Sequence, residues 1–138
     1  TLHGIPLYDG DVEARDGEPA AVTALKQRIL ASDGVLLVTP EYNNGIPGVF
    51  KNGIDWLSRG TPGIPAVFGD RAYVDRGIEV MLPVLKTLGV RLWAGNRLMV
   101  SRAGSVFDAD GALVDPKVRE QLAGFLQGFA VFADTART

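Results

Sequence analysis

The chain contains no cysteine, which excludes a disulfide framework and thiolate catalysis and fits a cytoplasmic protein. Histidine is nearly as scarce: His3 is the only imidazole, so a metal site would have to rest almost wholly on carboxylates, and none is expected. No apolar run approaches the ~18–20 residues needed to span a bilayer, and no charged segment followed by an apolar one reads as a secretory signal. Neither sign of charge dominates. Fourteen basic residues are scattered among sixteen acidic ones for a net charge of −2, so the clustered Lys and Arg of a nucleic-acid surface are missing. Internal repeats, low-complexity tracts and interdomain linkers are also absent.

What is present suits one globular domain. The 138 residues are 46% apolar and 22% charged, enough for one hydrophobic core and too few for two. Thr1–Gly10 reads as the end of a strand running into a loop, and residues 11–18 are polar and turn-like. Pro19 suits a helix start, followed by Val22, Leu25, Ile29 and Leu30 at helical spacing. Ser32-Asp33-Gly34 ends that helix, with Gly34 suited to a left-handed C-terminal position. Gly34-Val35-Leu36-Leu37-Val38-Thr39 is a continuous apolar run, as expected of a parallel strand buried on both faces.

Pro47 opens a second helix over about 47–59, with Phe50, Ile54 and Leu57 inward and Lys51 and Asp55 one turn apart. Residues 59–70 are a Gly- and Pro-rich loop. The pattern Val74, Ile78, Leu82, Leu85 predicts a third helix over 74–88, which Pro83 kinks or starts late; Gly89 stops it. Residues 90–93 and 98–100 are strand-like. Asp115-Pro116 caps a last helix with Val118, Leu122, Phe125, Leu126 and Phe129 on its apolar face.

These alternating elements point to a doubly wound α/β domain with three layers. Four helices around two or three strands is too little sheet for that architecture. The expectation is therefore a single domain over 1–138 that lacks an N-terminal strand–helix–strand unit. A strand and its following loop are expected to be missing near Arg71-Ala72.

The segment 39–57 carries the chemistry. It is a loop at the carboxyl end of an apolar strand, followed by a helix N-terminus, which is where open α/β sheets bind ligands. Backbone N–H groups around Asn43–Gly45 can donate to a planar polar ring, Gly45 and Gly48 permit close approach, and Tyr42 offers an aromatic wall. Such a pocket needs no acid, base or nucleophile when a cofactor performs the reaction.

Thr39-Pro40-Glu41-Tyr42-Asn43, then Ile46-Pro47-Gly48 and Lys51-Asn52-Gly53-Ile54-Asp55-Trp56, resembles the signature of the NADPH-dependent FMN reductase family, which includes bacterial quinone and chromate reductases. Looser similarity extends over Leu7-Tyr8-Asp9, Leu82-Pro83-Val84-Leu85 and Val100-Ser101-Arg102-Ala103. The resemblance implies a flavodoxin-like fold with non-covalent FMN, assembled as a homodimer or homotetramer. It places Pro40, Glu41, Tyr42, Asn43, Asn44 and Gly45 against the isoalloxazine. It also implies ping-pong hydride transfer from NAD(P)H through the flavin to a quinone or other small acceptor. Within the motif, Gly45 stands where the family often has Ser, and Gly53 replaces the usual Ala at a cost in helix propensity.

Other readings stand beside this one. Glu41 suits a loop carboxylate beside a helix start, and Tyr42 an oligomer interface. Trp56 and the Phe125, Leu126, Phe129 stripe read as core or interface, and His3 as structural or solvent-facing. No side chain is expected to be catalytic. The alternative functions are a flavodoxin-like electron carrier, a non-catalytic binding module, or a homologue that has lost flavin binding.

Overall fold

Asp9 begins the first helix. Its carboxylate accepts from the Asp11 and Val12 amides, satisfying two of the orphan donors that every helix start exposes. Helix α1 (Gly10–Asp16) follows where the polar composition predicts a turn. The cap and the acidic Asp11 and Glu13 in its first turn favour it electrostatically. It buries no residue, which is why hydrophobic periodicity does not reveal it. The computed structural model describes residues 1–40, 42–60, 73–75, 81–95 and 98–135.

Helices α2 (Ala20–Leu30) and α3 (Gly48–Leu57) start where expected, but Pro19 and Pro47 stand one residue ahead as N-caps with ψ of 141° and 143° rather than as the first helical residues. Gly34 does not have the expected left-handed role. The left-handed glycines are elsewhere, and α2 closes at Ala31 with the Ser32 hydroxyl donating to the Ile29 carbonyl. What Gly34 supplies is space: a Cβ there would lie 2.9 Å from the Phe129 ring.

Strand β1 (Tyr73–Asp75) pairs in parallel with β2 (Arg91–Trp93), Tyr73 opposite Arg91 and Asp75 opposite Trp93. Helix α4 (Leu82–Thr87) lies between them in sequence, so the three form the strand–helix–strand unit that parallel neighbours require. This corrects the helix expected over 74–88. Pro83 sits in the first turn of α4, where its missing N–H is harmless; further in it would break the ladder. The helix therefore starts late, and Tyr73–Asp75, further upstream, take strand geometry. The junction at Arg71-Ala72 lies outside the described residues, but a strand follows it directly.

The apolar run 34–39 also departs from expectation. Among the described residues it forms no extended ladder; Val35 makes a single bridge. Burial alternates along it. Val35 and Leu37 pack on the core, whereas Leu36 is exposed and Val38 is 78% exposed. One face is covered, and among the described residues nothing buries Leu36 and Val38 on the other. Leu98-Met99-Val100 likewise carries no strand, and Met99 is exposed.

The core joins α2, α3 and the strand–helix–strand unit through Ile54, Leu57, Met81, Leu85 and Val90, with Leu25, Ile29 and Phe50 packed against them. Helix α5 (Pro116–Thr135) closes a second cluster. Asp115 accepts from the Val118 amide at 2.9 Å, as the cap reading expects. Trp93 meets Phe125 edge-on at 5.1 Å and Phe129 at 5.8 Å. Leu126 is exposed: it lies about 100° around the helix from Phe125 and leaves the stripe assigned to it.

Candidate functional site

The segment between the apolar run and α3 is a two-residue hairpin. The Tyr42 amide donates to the Gly45 carbonyl at 2.8 Å, and the Gly45 amide donates back to the Tyr42 carbonyl at 2.9 Å. Asn43 and Asn44 form its tip with φ of 54° and 59°, both in the left-handed region that a type I′ turn demands and that Asn tolerates better than most residues. Of the amides proposed as donors, Gly45's is consumed inside the turn. Asn43 and Asn44 are exposed, and their amides make no hydrogen bond to an acceptor among the described residues. Tyr42 is 61% exposed beside them, and Pro40 is exposed too. Glu41 lies outside the described residues.

Ile46 then turns inward onto the core, and Pro47 opens α3. That helix start has no side-chain cap and no acidic residue in its first turn, so among the described residues its positive end and the amides of Gly48 and Val49 have no compensating group. The arrangement is a set of fixed donors next to an exposed aromatic ring, with no carboxylate or imidazole among the described groups of the turn. Such an arrangement can receive a planar ligand with acceptor atoms on its edge. Among the described residues no group of three His, Asp or Glu could hold a metal ion.

The second half of the motif has a structural role that the sequence reading does not find. The Tyr8 amide donates to Asn52 Oδ1 at 2.8 Å, while Asn52 Nδ2 donates to the Pro6 carbonyl at 2.8 Å. Trp56 Nε1 donates to that same carbonyl at 2.9 Å, and the Trp56 ring is only 1% exposed. Trp56 is therefore core, as read. Lys51 and Asp55 pair at 2.6 Å on the outer face, a contact between two part-exposed groups that contributes at most a few tenths of a kcal/mol, roughly.

Tyr8 stacks edge-on against Trp56 at 5.0 Å and lies under the Arg59 guanidinium at 5.6 Å. Its hydroxyl donates to Glu13, which holds the phenol above its ordinary value; partial burial adds to the effect, and Arg59 opposes it.

A buried ion pair stands behind the site. Lys26 on α2 is fully buried, pairs with the buried Glu18 and donates to the Arg59 carbonyl at 2.6 Å, just past the end of α3. The Thr23 hydroxyl donates to the other Glu18 oxygen at 2.8 Å. The only hint in the sequence was a Lys four residues after Val22 on the buried stripe, a pattern usually read as a solvated edge.

Residues 1–104 match the model of the NADPH-dependent FMN reductase family. The chain belongs to that family. Its likeness to individual members supports the assignment. It is 37% identical to an NAD(P)H-dependent FMN reductase of Pseudomonas aeruginosa over 99% of this chain and 77% of that protein. A quinone reductase of Escherichia coli K12 is 60% identical over 59 residues, which is 43% of this chain and only 31% of that protein. Among solved structures, FerB, the flavoenzyme NAD(P)H:(acceptor) oxidoreductase of Paracoccus denitrificans, superposes with a TM-score of 0.78 at 28% identity. That superposition covers 98% of this chain and 78% of FerB. The family's α/β architecture is thus the architecture of this chain, and within it the Tyr42–Gly45 turn leads straight into α3.

Proposed function

We propose that this chain is an FMN-dependent oxidoreductase that transfers hydride from NAD(P)H through flavin to a quinone or another small acceptor. The observation that carries the reading is the type I′ turn. Asn43 and Asn44, exposed at its tip, carry two amides with no acceptor among the described residues, next to the exposed Tyr42 ring and just before a helix start without a side-chain cap. In the proposed site Pro40, Glu41, Tyr42, Asn43, Asn44 and Gly45 lie along the isoalloxazine, and Gly45 contributes by closing the turn rather than by donating. Bound FMN supplies the two-electron chemistry. The protein's part is to hold the ring's polar edge on fixed amides that need no reorganisation, to give its face an aromatic neighbour, and to limit water there. No side chain is assigned a proton.

The architecture behind this reading is a single flavodoxin-like domain with a doubly wound parallel sheet, of which β1 and β2 are one pair. Assembly as a homodimer or homotetramer and a cytoplasmic location belong to the same proposal. The lack of cysteine suits that location, and among the described residues no helix is long and apolar enough to cross a membrane. Exposed Tyr42 and Val49 near the site suit a subunit contact.

An electron carrier that holds FMN without using NAD(P)H is the second reading. The net charge of −2 favours the enzyme, since a carrier of this type is more acidic. The test is a visible absorption spectrum of the protein with FMN, followed by anaerobic NADPH. Oxidised-flavin bands that bleach, then steady NADPH oxidation with a quinone, are expected. A protein that retains no flavin after removal of the excess refutes the reading. One that retains flavin without bleaching supports the carrier.

A further inference from the structure

Asn52 lies on the second turn of α3, four residues past the start of the helix that the turn 42–45 feeds. Its amide treats the segment Pro6–Tyr8 as a neighbouring strand would. It accepts from the Tyr8 N–H and donates to the Pro6 carbonyl, both at 2.8 Å, two residues apart along the chain. Leu7, between them, points out and is 81% exposed. Trp56, one turn further along α3, donates to the same Pro6 carbonyl at 2.9 Å and takes the Tyr8 ring edge-on. The segment is thus fastened to α3 at three polar points and one aromatic contact.

The chemistry selects asparagine at this position. The Tyr8 N–H demands an acceptor and the Pro6 carbonyl demands a donor, so the two halves of the amide cannot be exchanged. Aspartate has no donor when ionised, and it would set a carboxylate oxygen against the carbonyl. Leucine offers neither group. A side chain with both functions, placed where the first turns of α3 must be held still, does more than fill space.

We propose that Asn52 is a positioning residue for flavin binding: by fastening Pro6–Tyr8 to α3 it fixes the start of that helix and the Asn43–Asn44 amides in front of it. The inference rests on the flavin reading above. It locates the pre-organisation of the site in a residue that does not touch the ligand. Binding to a fixed set of donors avoids the ordering that a loose turn would otherwise require.

The test uses the full chain with Asn52→Leu and Asn52→Asp, titrated with FMN by fluorescence quenching at a temperature where circular dichroism shows each variant folded. Asn52→Leu is expected to bind FMN about tenfold more weakly or worse. Asn52→Asp is expected to be equally weak at pH 8 and to recover toward wild type as the pH falls to about 4.5, because a protonated carboxyl again offers one donor and one acceptor. The leucine variant corrects for titration of the FMN phosphate. A role limited to packing does not predict recovery in acid.

Leucine-variant affinity within twofold of wild type, or an aspartate variant with the same pH profile as the leucine variant, overturns the proposal and leaves the flavin reading intact. Wild-type protein that quenches no FMN overturns both. If the leucine variant does not fold, the aspartate profile against wild type decides alone.

Discussion

Replacing Lys26 by Met tests the buried ion pair directly. The Lys26 side chain is 0% exposed and its partner Glu18 4%, so solvent screening is nearly absent on both sides. Removing Lys26 takes away the ammonium that faces the buried Glu18 carboxylate and leaves the Arg59 carbonyl without its 2.6 Å donor. Breaking such a pair by deleting one member costs about 3–5 kcal/mol, most of it the burden of the charge left behind. Against a total stability of about 5–15 kcal/mol, that is a large fraction. The double variant Lys26→Met, Glu18→Leu removes both charges and is expected to lie within about 1–2 kcal/mol of wild type, or above it.

The assay is urea unfolding at pH 7 of wild type, both single variants and the double. The expected result is a coupling energy of several kcal/mol in the double-mutant cycle. A single-variant loss under about 1 kcal/mol, or additive losses in the cycle, would refute the reasoning.

Two further outcomes follow from close contacts elsewhere. Gly128→Ala on α5 gains helix propensity but sets a Cβ 2.8 Å from Trp93 Cζ2; the ring is held by Phe125 and cannot yield easily, so a net loss of about 1–3 kcal/mol in urea melts is expected, with a changed near-ultraviolet Trp signal. Tyr8→Phe removes a phenol held above its usual value by donation to Glu13. Because the folded value is the raised one, the hydroxyl's contribution is complete below pH 10.0 and is lost as the pH climbs through the folded value. Stability curves of wild type and Tyr8→Phe should therefore converge in alkali, and curves that stay parallel above pH 10.0 would contradict the sign.

The parts of the fold that sequence reveals are those whose signals are local. Pro19 and Pro47 mark helix starts by fixing φ, and Asp115 marks α5 by capping it, so α2, α3 and α5 begin where expected. Helix α1 is missed because its cap is legible but its apolar stripe does not exist. Strand β1 is missed because its residues are three, and only the parallel partner eighteen positions on, Arg91 opposite Tyr73, makes them a strand. A pairing at that distance leaves no local mark. In the candidate site, the loop is legible as a loop, but the type I′ geometry that uses the Gly45 amide inside the turn is not. Nothing short of the φ values at both Asn residues separates the Gly45 amide, spent in the turn, from the Asn43 and Asn44 amides, which have no acceptor among the described residues.

Gly53 shows the same limit from the other side. Read along the helix alone, a glycine in the middle of α3 is a defect of about 1 kcal/mol relative to alanine. In the fold it is buried, and a Cβ there would fall 2.8 Å from a methyl of Leu2. Leu2 thus packs onto α3 where a side chain would otherwise stand, four residues upstream of the Pro6 carbonyl that Asn52 and Trp56 hold. The loss in helix propensity is offset by a tighter seat for the opening segment, which the asparagine then fastens. Asn52 and Gly53 both act on the same contact between residues 2–8 and α3. The motif Lys51-Asn52-Gly53-Ile54-Asp55-Trp56 therefore reads as the device that holds the helix behind the turn proposed to receive the flavin.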